Sequence, residues 1–378
     1  MRVLNVGILG LGKIGKTHAY AYRNLPFFYE NIDFKVHLKA VYNRSWEKAL
    51  QNRETYGFEY AAKNPEDIIN DPGVDIVDIC LPNFLHEEYA VKAFKAGKHV
   101  YLEKPAAMDW AGALRIAEAA KKAGTVNQVV FHNRFYPAVL RAKELIDGGR
   151  IGRIFGFSFV FNHPSNISKE KCMSWRFEKE KTGGGALFDM GSHIIDLACH
   201  LMGPFEGLEA LTQIAWDRRK DEAGNLCTVE TDDAAYIVAR LKNGACGTIA
   251  ASKLATGTND DLRFEIYGEK GALKFDVMDL NYLQFYDNTQ PVGDYGGSRG
   301  FTKIESVQNY KKPAADFPYV RAPMGWIRAH VQCLYNFLDC AAHGQAASPD
   351  IAEAAYTQYI MDKAYESGEK KRWITLEQ

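Results

Sequence analysis

From Met1 to about residue 134 the chain alternates short apolar runs with longer stretches in which apolar residues recur at helical spacing. This is the pattern of βαβ units on a parallel sheet. It predicts strands over Val3–Leu9, Lys35–Val41, Ile76–Leu81, His99–Leu102 and Gln128–Phe131, and helices over Ile14–Asn24, Pro65–Asn70, Leu85–Ala96 and Trp110–Ala123. Gly97 and Gly124 stand where left-handed C-terminal caps are expected. A bridging helix at Pro137–Asp147 follows, and then the period changes from helical to two. Alternating segments at Ile154–Asn162, Leu208–Trp216, Ala234–Leu241, Gly247–Lys253, Leu262–Tyr267, Ala272–Phe275 and Tyr282–Tyr286 predict an open, mostly antiparallel sheet. One helix, Ala186–Leu201, interrupts this half, and helices at Trp326–Ala342 and Ile351–Ser367 end it. The proline- and glycine-rich stretch 288–324 has weak periodicity and reads as a long loop. The expected fold is α/β: a domain of βαβ units on a parallel sheet over 1–134, closed by the C-terminal helices, and an α+β domain with an open, mostly antiparallel sheet over 135–378.

Composition narrows the function. The 378 residues are 47% hydrophobic and 25% charged, ordinary for a globular chain long enough for two cores. Forty-six basic residues against 47 acidic ones leave a formal charge of −1, so no global field favours nucleic acid or an anionic membrane, and a small-molecule partner is expected. No apolar run approaches the roughly 18 residues of a membrane span, and the N-terminus lacks the pattern of a signal peptide. Seven scattered cysteines without a CxxC pair suggest neither a disulfide framework nor a thiolate zinc site, which together with the N-terminus leads to a cytoplasmic expectation.

Candidate chemistry begins at Gly10-Leu11-Gly12-Lys13-Ile14-Gly15, a GxGxxG turn that leaves an apolar strand and opens a helix. In that context the first glycine permits the turn, the second lets a pyrophosphate approach the backbone, and the third lets helix pack on strand. The phosphates are expected on amide groups at the helix N-terminus. Where such chains usually offer an acidic residue to the adenosine ribose, this one has Asn43-Arg44-Ser45. Asn43 can bond a ribose hydroxyl, and Arg44 with Ser45 can meet a 2′-phosphate, a slight lean toward NADP over NAD. Further along, Leu81-Pro82-Asn83 with His86, and Glu103-Lys104-Pro105, lie at the carboxyl ends of predicted strands, where ligands bind in such sheets.

The second half carries Gly183-Gly184-Gly185-Ala186-Leu187-Phe188-Asp189-Met190-Gly191-Ser192-His193. Its glycines read as a flexible entry, and Asp189 and His193 fall four apart on one helix face. A carboxylate there suits the orientation of an imidazole that takes a hydroxyl proton. The bland alternative is a capping or core pair. Metal binding is disfavoured by the absence of HExxH and of paired cysteines, although His200 lies on the same predicted helix; no metal is expected.

Taken together, the turn at Gly10–Gly15, Glu103-Lys104-Pro105, Asn133-Arg134-Phe135 with Pro137, Trp175-Arg176 and Gly183–His193 resemble the Gfo/Idh/MocA oxidoreductases over nearly the whole chain. The resemblance implies a Rossmann domain, a substrate domain whose open sheet commonly meets a neighbouring subunit, and NAD(P)-linked redox chemistry on sugars, glycosides or cyclic polyols. Carried over residue by residue, it makes Lys104, Asp189 and His193 catalytic, with Lys104 steadying charge on the reacting oxygen. Substrate contacts are expected from Arg134, Tyr136, Asn162, His163, Trp175 and Arg176. A homodimer or homotetramer is expected as well. Two other functions use the same scaffold: glycoside cleavage through transient oxidation with a recycled, tightly bound NAD, and non-catalytic dinucleotide sensing.

Overall fold

The computed structural model describes residues 1–307, 311–315, 317–319 and 321–377. The chain divides into two compact units, Met1–Phe135 with Asn309–Gln358, and Tyr136–Gln308 with Tyr359–Gln378.

The first unit follows the order β1 (Arg2–Leu9), α1 (Lys13–Phe28), β2 (Phe34–Tyr42), α2 (Trp46–Tyr56), β3 (Tyr60–Ala62), α3 (Pro65–Ile69), β4 (Ile76–Ile79), α4 (His86–Lys95), β5 (His99–Leu102), α5 (Trp110–Ala123) and β6 (Asn127–Val129). Its six strands are parallel in the order β3-β2-β1-β4-β5-β6, the doubly wound arrangement whose winding reverses between β1 and β4. A parallel sheet needs cover on both faces. On one face Leu9, Val77, Val100 and Leu102 pack with Ile68, Phe94 and Ile116 from α3, α4 and α5. On the other, Val6, Ile8 and Tyr101 pack with Tyr22 and Leu25 of α1 and with Leu334, Phe337 and Leu338 from near the C-terminus. That second face explains why a distant segment joins this unit. Gly97 and Gly124 adopt positive φ as caps. The sequence reading passes over α2 and β3 because α2 buries only Ala49, so hydrophobic periodicity has little to register there.

The second unit opens with α6 (Pro137–Asp147), β7 (Ile154–Asn162), the short α7 (Lys179–Thr182) and α8 (Ser192–Met202), followed by β8 (Phe205–Gln213), β9 (Arg218–Lys220), β10 (Leu226–Thr228), β11 (Ala234–Leu241), β12 (Cys246–Ser252), β13 (Asp261–Gly268), β14 (Gly271–Asp276), β15 (Tyr282–Asp287) and β16 (Phe301–Glu305). Helices α9 (Trp326–His343) and α10 (Ile351–Lys370) and the strand β17 (Ile374–Thr375) complete the chain. Nine strands form one sheet, β16-β15-β14-β13-β7-β12-β11-β8-β17, in which β7 and β12 are the one parallel pair. Phe157, Phe159 and Phe161 of β7 point into the core, where Phe159 stacks on Phe264 at 5.3 Å. The opposite face leaves Leu211, Tyr236 and Val238 exposed, with Tyr236 directly across from Leu211.

Two expectations are corrected. The stretch 288–324 is not a loop throughout, because β16 adds to the sheet edge beside β15; its positions 308–310, 316 and 320 lie outside the described residues. The helix expected over Ala186–Leu201 is not one α-helix. Leu187–Gly191 forms a π-helical turn, and α-helical geometry begins only at Ser192.

Candidate active site

In the first unit the three glycines of the βα turn each meet a different constraint. Gly10 has φ +95, and a Cβ on it would come within 2.8 Å of the Cys80 carbonyl oxygen. A Cβ on Gly15 would collide with the Gly10 carbonyl, whereas one on Gly12 would meet nothing within 4 Å. Gly12 is the N-cap of α1, and the first turn of that helix, beginning Lys13-Ile14-Gly15, holds no acidic residue. Free amide donors, the positive helix end and open space at Gly12 fit a dinucleotide pyrophosphate. At the end of β2, Asn43 accepts a hydrogen bond from Asn52 at 2.7 Å, and Arg44 is exposed. Ser45 caps α2 by accepting from the Lys48 amide, and its hydroxyl donates to Glu47 at 2.7 Å.

The turns after β4 and β5 are tied together from beneath. His86 is buried, with Nδ1 at 2.8 Å from the Pro105 carbonyl and Nε2 at 2.8 Å from the Leu81 carbonyl. Burial pushes its pKa down, since a charged imidazole is disfavoured there. His86 therefore lies between the Leu81-Pro82-Asn83 turn and the Glu103-Lys104-Pro105 turn, and as a neutral ring with one N–H it donates to one of the two carbonyls at a time. Glu103 is buried too, and one of its oxygens accepts the backbone amide of Lys104 at 3.1 Å. Arg134 is buried and bonded to Glu353 at 2.8 Å and to Ser348 at 3.2 Å, engagements that make it a structural ion pair inside this unit. Glu353 is pushed up by burial, but Arg134 outweighs that and holds it below its ordinary pKa.

In the second unit the glycine-rich segment is packed rather than flexible. Asp232 is buried and accepts from the amides of Gly185 (2.8 Å) and Leu187 (2.9 Å), while Tyr365 donates its hydroxyl to the same carboxylate. A Cβ on Gly185 would collide with the Asp232 backbone, and one on Gly184 with the Tyr365 hydroxyl. These clashes, more than conformational freedom, require glycine here. The π turn carries Asp189 to a half-exposed position where it pairs with Lys253 at 3.0 Å. His193 is buried on α8, its ring 6.1 Å from that of Phe161. The expectation that Asp189 and His193 share one α-helical face is therefore replaced by a π turn followed by an α-helix.

The other sequence-derived residues of this unit fall into two groups. Tyr136 is buried against Phe275 at 5.9 Å, a core position. Asn162 donates to Asp261 at 3.2 Å, His163 continues the edge of β7 through its amide to Ser252, and the Arg176 guanidinium lies 4.8 Å over the Trp175 ring. The sequence reading missed Lys253, Asp232, Lys171 and Tyr365. Lys253 at the strand end and the Asp232-Asp233 doublet before β11 were visible in the sequence, but nothing local said what they face. Burial pushes Lys171 below its ordinary pKa, helped by Lys253, Arg219 and Arg176.

A parallel doubly wound sheet with this phosphate turn defines a dinucleotide-binding domain. Residues 4–131 match the family model for the oxidoreductase family with an NAD-binding Rossmann fold, and residues 139–274 match the GFO/IDH/MocA C-terminal domain. The chain belongs to the Gfo/Idh/MocA oxidoreductase family. It is 30% identical to levoglucosan dehydrogenase of Pseudarthrobacter phenanthrenivorans, over 100% of this chain and 99% of that one. It is 31% identical to myo-inositol 2-dehydrogenase of Thermotoga maritima, over 79% of this chain and 80% of that one. The structure of levoglucosan dehydrogenase in complex with NADH and levoglucosan superimposes with a TM-score of 0.93 at 31% identity, covering 100% of both chains. The protein is an NAD-binding enzyme of the dehydrogenase type. No helix among the described residues is long and apolar enough to cross a membrane.

Proposed function

We propose that this enzyme moves a hydride between NAD(H) and a ring carbon bearing a hydroxyl in a sugar, glycoside or cyclic polyol. The observation carrying this reading is the phosphate turn with space left at Gly12, joined by the family's Glu103-Lys104-Pro105 triplet. In this reading residues 1–134 with the C-terminal helices bind the dinucleotide, and 135–378 serve substrate binding and assembly. When bound, the nicotinamide supplies or takes the hydride. Lys104 donates a hydrogen bond to the reacting oxygen and steadies its developing charge. His193 accepts the hydroxyl proton on oxidation, while Asp189, through its pair with Lys253, sets the local field. Trp175, Arg176, Asn162 and His163 contact the substrate; Arg134 and Tyr136 support the site from inside their units.

The lean toward NADP rested on Arg44 and Ser45. With the Ser45 hydroxyl engaged by Glu47, a 2′-phosphate there would meet a carboxylate, so this reading favours NAD. The seven cysteines are free thiols, in keeping with a cytoplasmic location. The exposed face around Leu211, Tyr236 and Val238 supports a homo-oligomer. Light scattering that finds only a 42.5 kDa species would remove that part.

The deciding experiment titrates NADH against NADPH by fluorescence and then follows nicotinamide absorbance across neutral and acidic sugars, anhydrosugars and inositols. Tighter NADH binding with substrate-dependent absorbance change is expected. Aglycone release from glycosides without net nicotinamide turnover would replace this reading with redox-recycling cleavage, and dinucleotide binding with no turnover would replace it with sensing.

A further inference from the structure

Beneath the Glu103-Lys104-Pro105 turn lies a hydrogen-bonded chain of titratable groups that the chemistry above does not use. His18, on α1 three residues past the last glycine of the phosphate turn, is buried. Its Nδ1 is 3.0 Å from both oxygens of Asp78, a fully buried residue on β4, and its Nε2 is 3.1 Å from Glu103 Oε1. The other Glu103 oxygen accepts the Lys104 amide at 3.1 Å. A neutral imidazole has one N–H, so it can donate to only one of two ionised carboxylates; with both carboxylates ionised, both bonds form together when both ring nitrogens carry protons. The set Asp78, His18 and Glu103 then carries one net negative charge, next to a lysine that carries a positive one.

We propose that Asp78, His18 and Glu103 form a positioning chain in which a doubly protonated His18, clamped between two carboxylates, locks Glu103 against the backbone of Lys104 and so fixes the turn that presents the lysine. The chain spans β4, α1 and β5, so it also links the helix that begins at the phosphate turn to the lysine's own turn. The groups around His18 agree with this. Cys80 lies 3.2 Å from Nδ1 and donates to Asp78, and the Tyr101 ring is 5.2 Å away. His330 of α9 has its ring at 6.2 Å, and burial first, then His132, His18 and Lys104, push its pKa well below the ordinary value. Tyr22, also buried, has its pKa raised, first by burial and then by Asp78. Burial opposes the charge on His18, but Asp78 and then Cys80 outweigh it, so its pKa stands well above the ordinary value. The nearest donor atoms of His18, Asp78 and Cys80 lie within 4.8 Å of one another, which also resembles a metal-ligand set. The engagement of Nδ1 with both Asp78 oxygens favours the hydrogen-bonded reading.

The role assigned to Lys104 comes from the proposed dehydrogenase function, so two readouts separate the two ideas. The first is independent of activity: histidine-labelled 15N spectra of the full chain in a His343→Gln background, which removes the exposed histidine paired with Asp33. One imidazole should stay doubly protonated at a pH where an ordinary histidine, with its midpoint near about 6.5, is already neutral. Its signal should be unchanged by added zinc. Spectra with every histidine neutral at that pH, or a zinc-dependent shift of this signal, would overturn the proposal. The second readout is a double-mutant cycle. His18→Gln and Glu103→Gln should each lower kcat by about tenfold to a hundredfold with KM for the sugar nearly unchanged, and the double variant should be no slower than about the slower single one. Multiplying effects, or an unchanged kcat, would overturn it. If the wild type turns over no sugar, the dehydrogenase reading fails by itself. NADH affinity then replaces kcat in the same cycle, with non-additive weakening expected and unchanged affinity counting against the chain.

Discussion

The two glycine-rich turns of this protein look alike in sequence and work in opposite ways. At Gly10–Gly15 the backbone closes tightly through Gly10 and Gly15 but leaves the space beside Gly12 empty, so the turn keeps room for something that is not protein. At Gly183–Gly191 the space is filled: Asp232 and Tyr365 occupy the volume that side chains on Gly184 and Gly185 would need, and the carboxylate of Asp232 binds the segment's amides. One turn uses glycine to receive a ligand, the other to let the chain approach itself. A run of glycines therefore says where backbone comes close to something, and only the neighbours say to what.

That contrast can be broken at several points. The largest effect is expected outside both turns, at Lys104: Lys104→Ala should lower kcat by about a hundredfold to a thousandfold, in the range for losing one oxyanion donor, with NADH affinity little changed. A loss confined to KM would mean that Lys104 only binds substrate. Next, Gly185→Ala should destabilise the fold by about 1–3 kcal/mol, because its methyl group must displace the Asp232 backbone, and the thermal midpoint should drop accordingly. An unchanged midpoint would show that the segment yields and is flexible after all. The smallest effect is expected from Gly12→Ala, which should leave the thermal midpoint of the free protein within error while weakening dinucleotide binding by about tenfold, or roughly 1.4 kcal/mol. If Gly12→Ala instead destabilises the free protein and spares binding, the two turns are the same kind of device.

The pH behaviour of one buried pair sharpens the distinction between supporting and binding residues. Arg134 was expected at the substrate, but its partner Glu353 has a depressed pKa. Its stabilising contribution is therefore present above the unfolded-state value and lost as pH falls through the folded one. The thermal midpoint of Arg134→Met should accordingly lose part of the wild-type drop on acidification below about pH 4.5. An identical acid profile in the variant would mean the pair contributes nothing to stability.

Much of the first unit was legible in the sequence because its signals are local. Apolar runs, cap positions such as Gly97 and Gly124, and the turn after β1 each follow from residues a few places apart. The segments that were missed lack such signals: α2 buries a single side chain, and β16 pairs at a sheet edge where alternation is weak. The site divides the same way. Gly10, Gly12, Gly15 and the Glu103-Lys104-Pro105 triplet could be read as motifs, whereas the burial of Arg134, Tyr136 and His86 and the partners they meet could not.

By itself, then, the order of residues determined the element types, the phosphate turn and the identity of the charged triplet, since hydrophobic period and glycine spacing act over a few residues. Tertiary structure decided what each polar group meets. Asp189 faces Lys253, Asp232 holds the glycine segment, and His18 sits between Asp78 and Glu103 because strands and helices far apart in the chain bring those groups within hydrogen-bonding distance. A polar side chain's role depends on the partner that compensates its burial, and that partner is set by packing rather than by sequence neighbours.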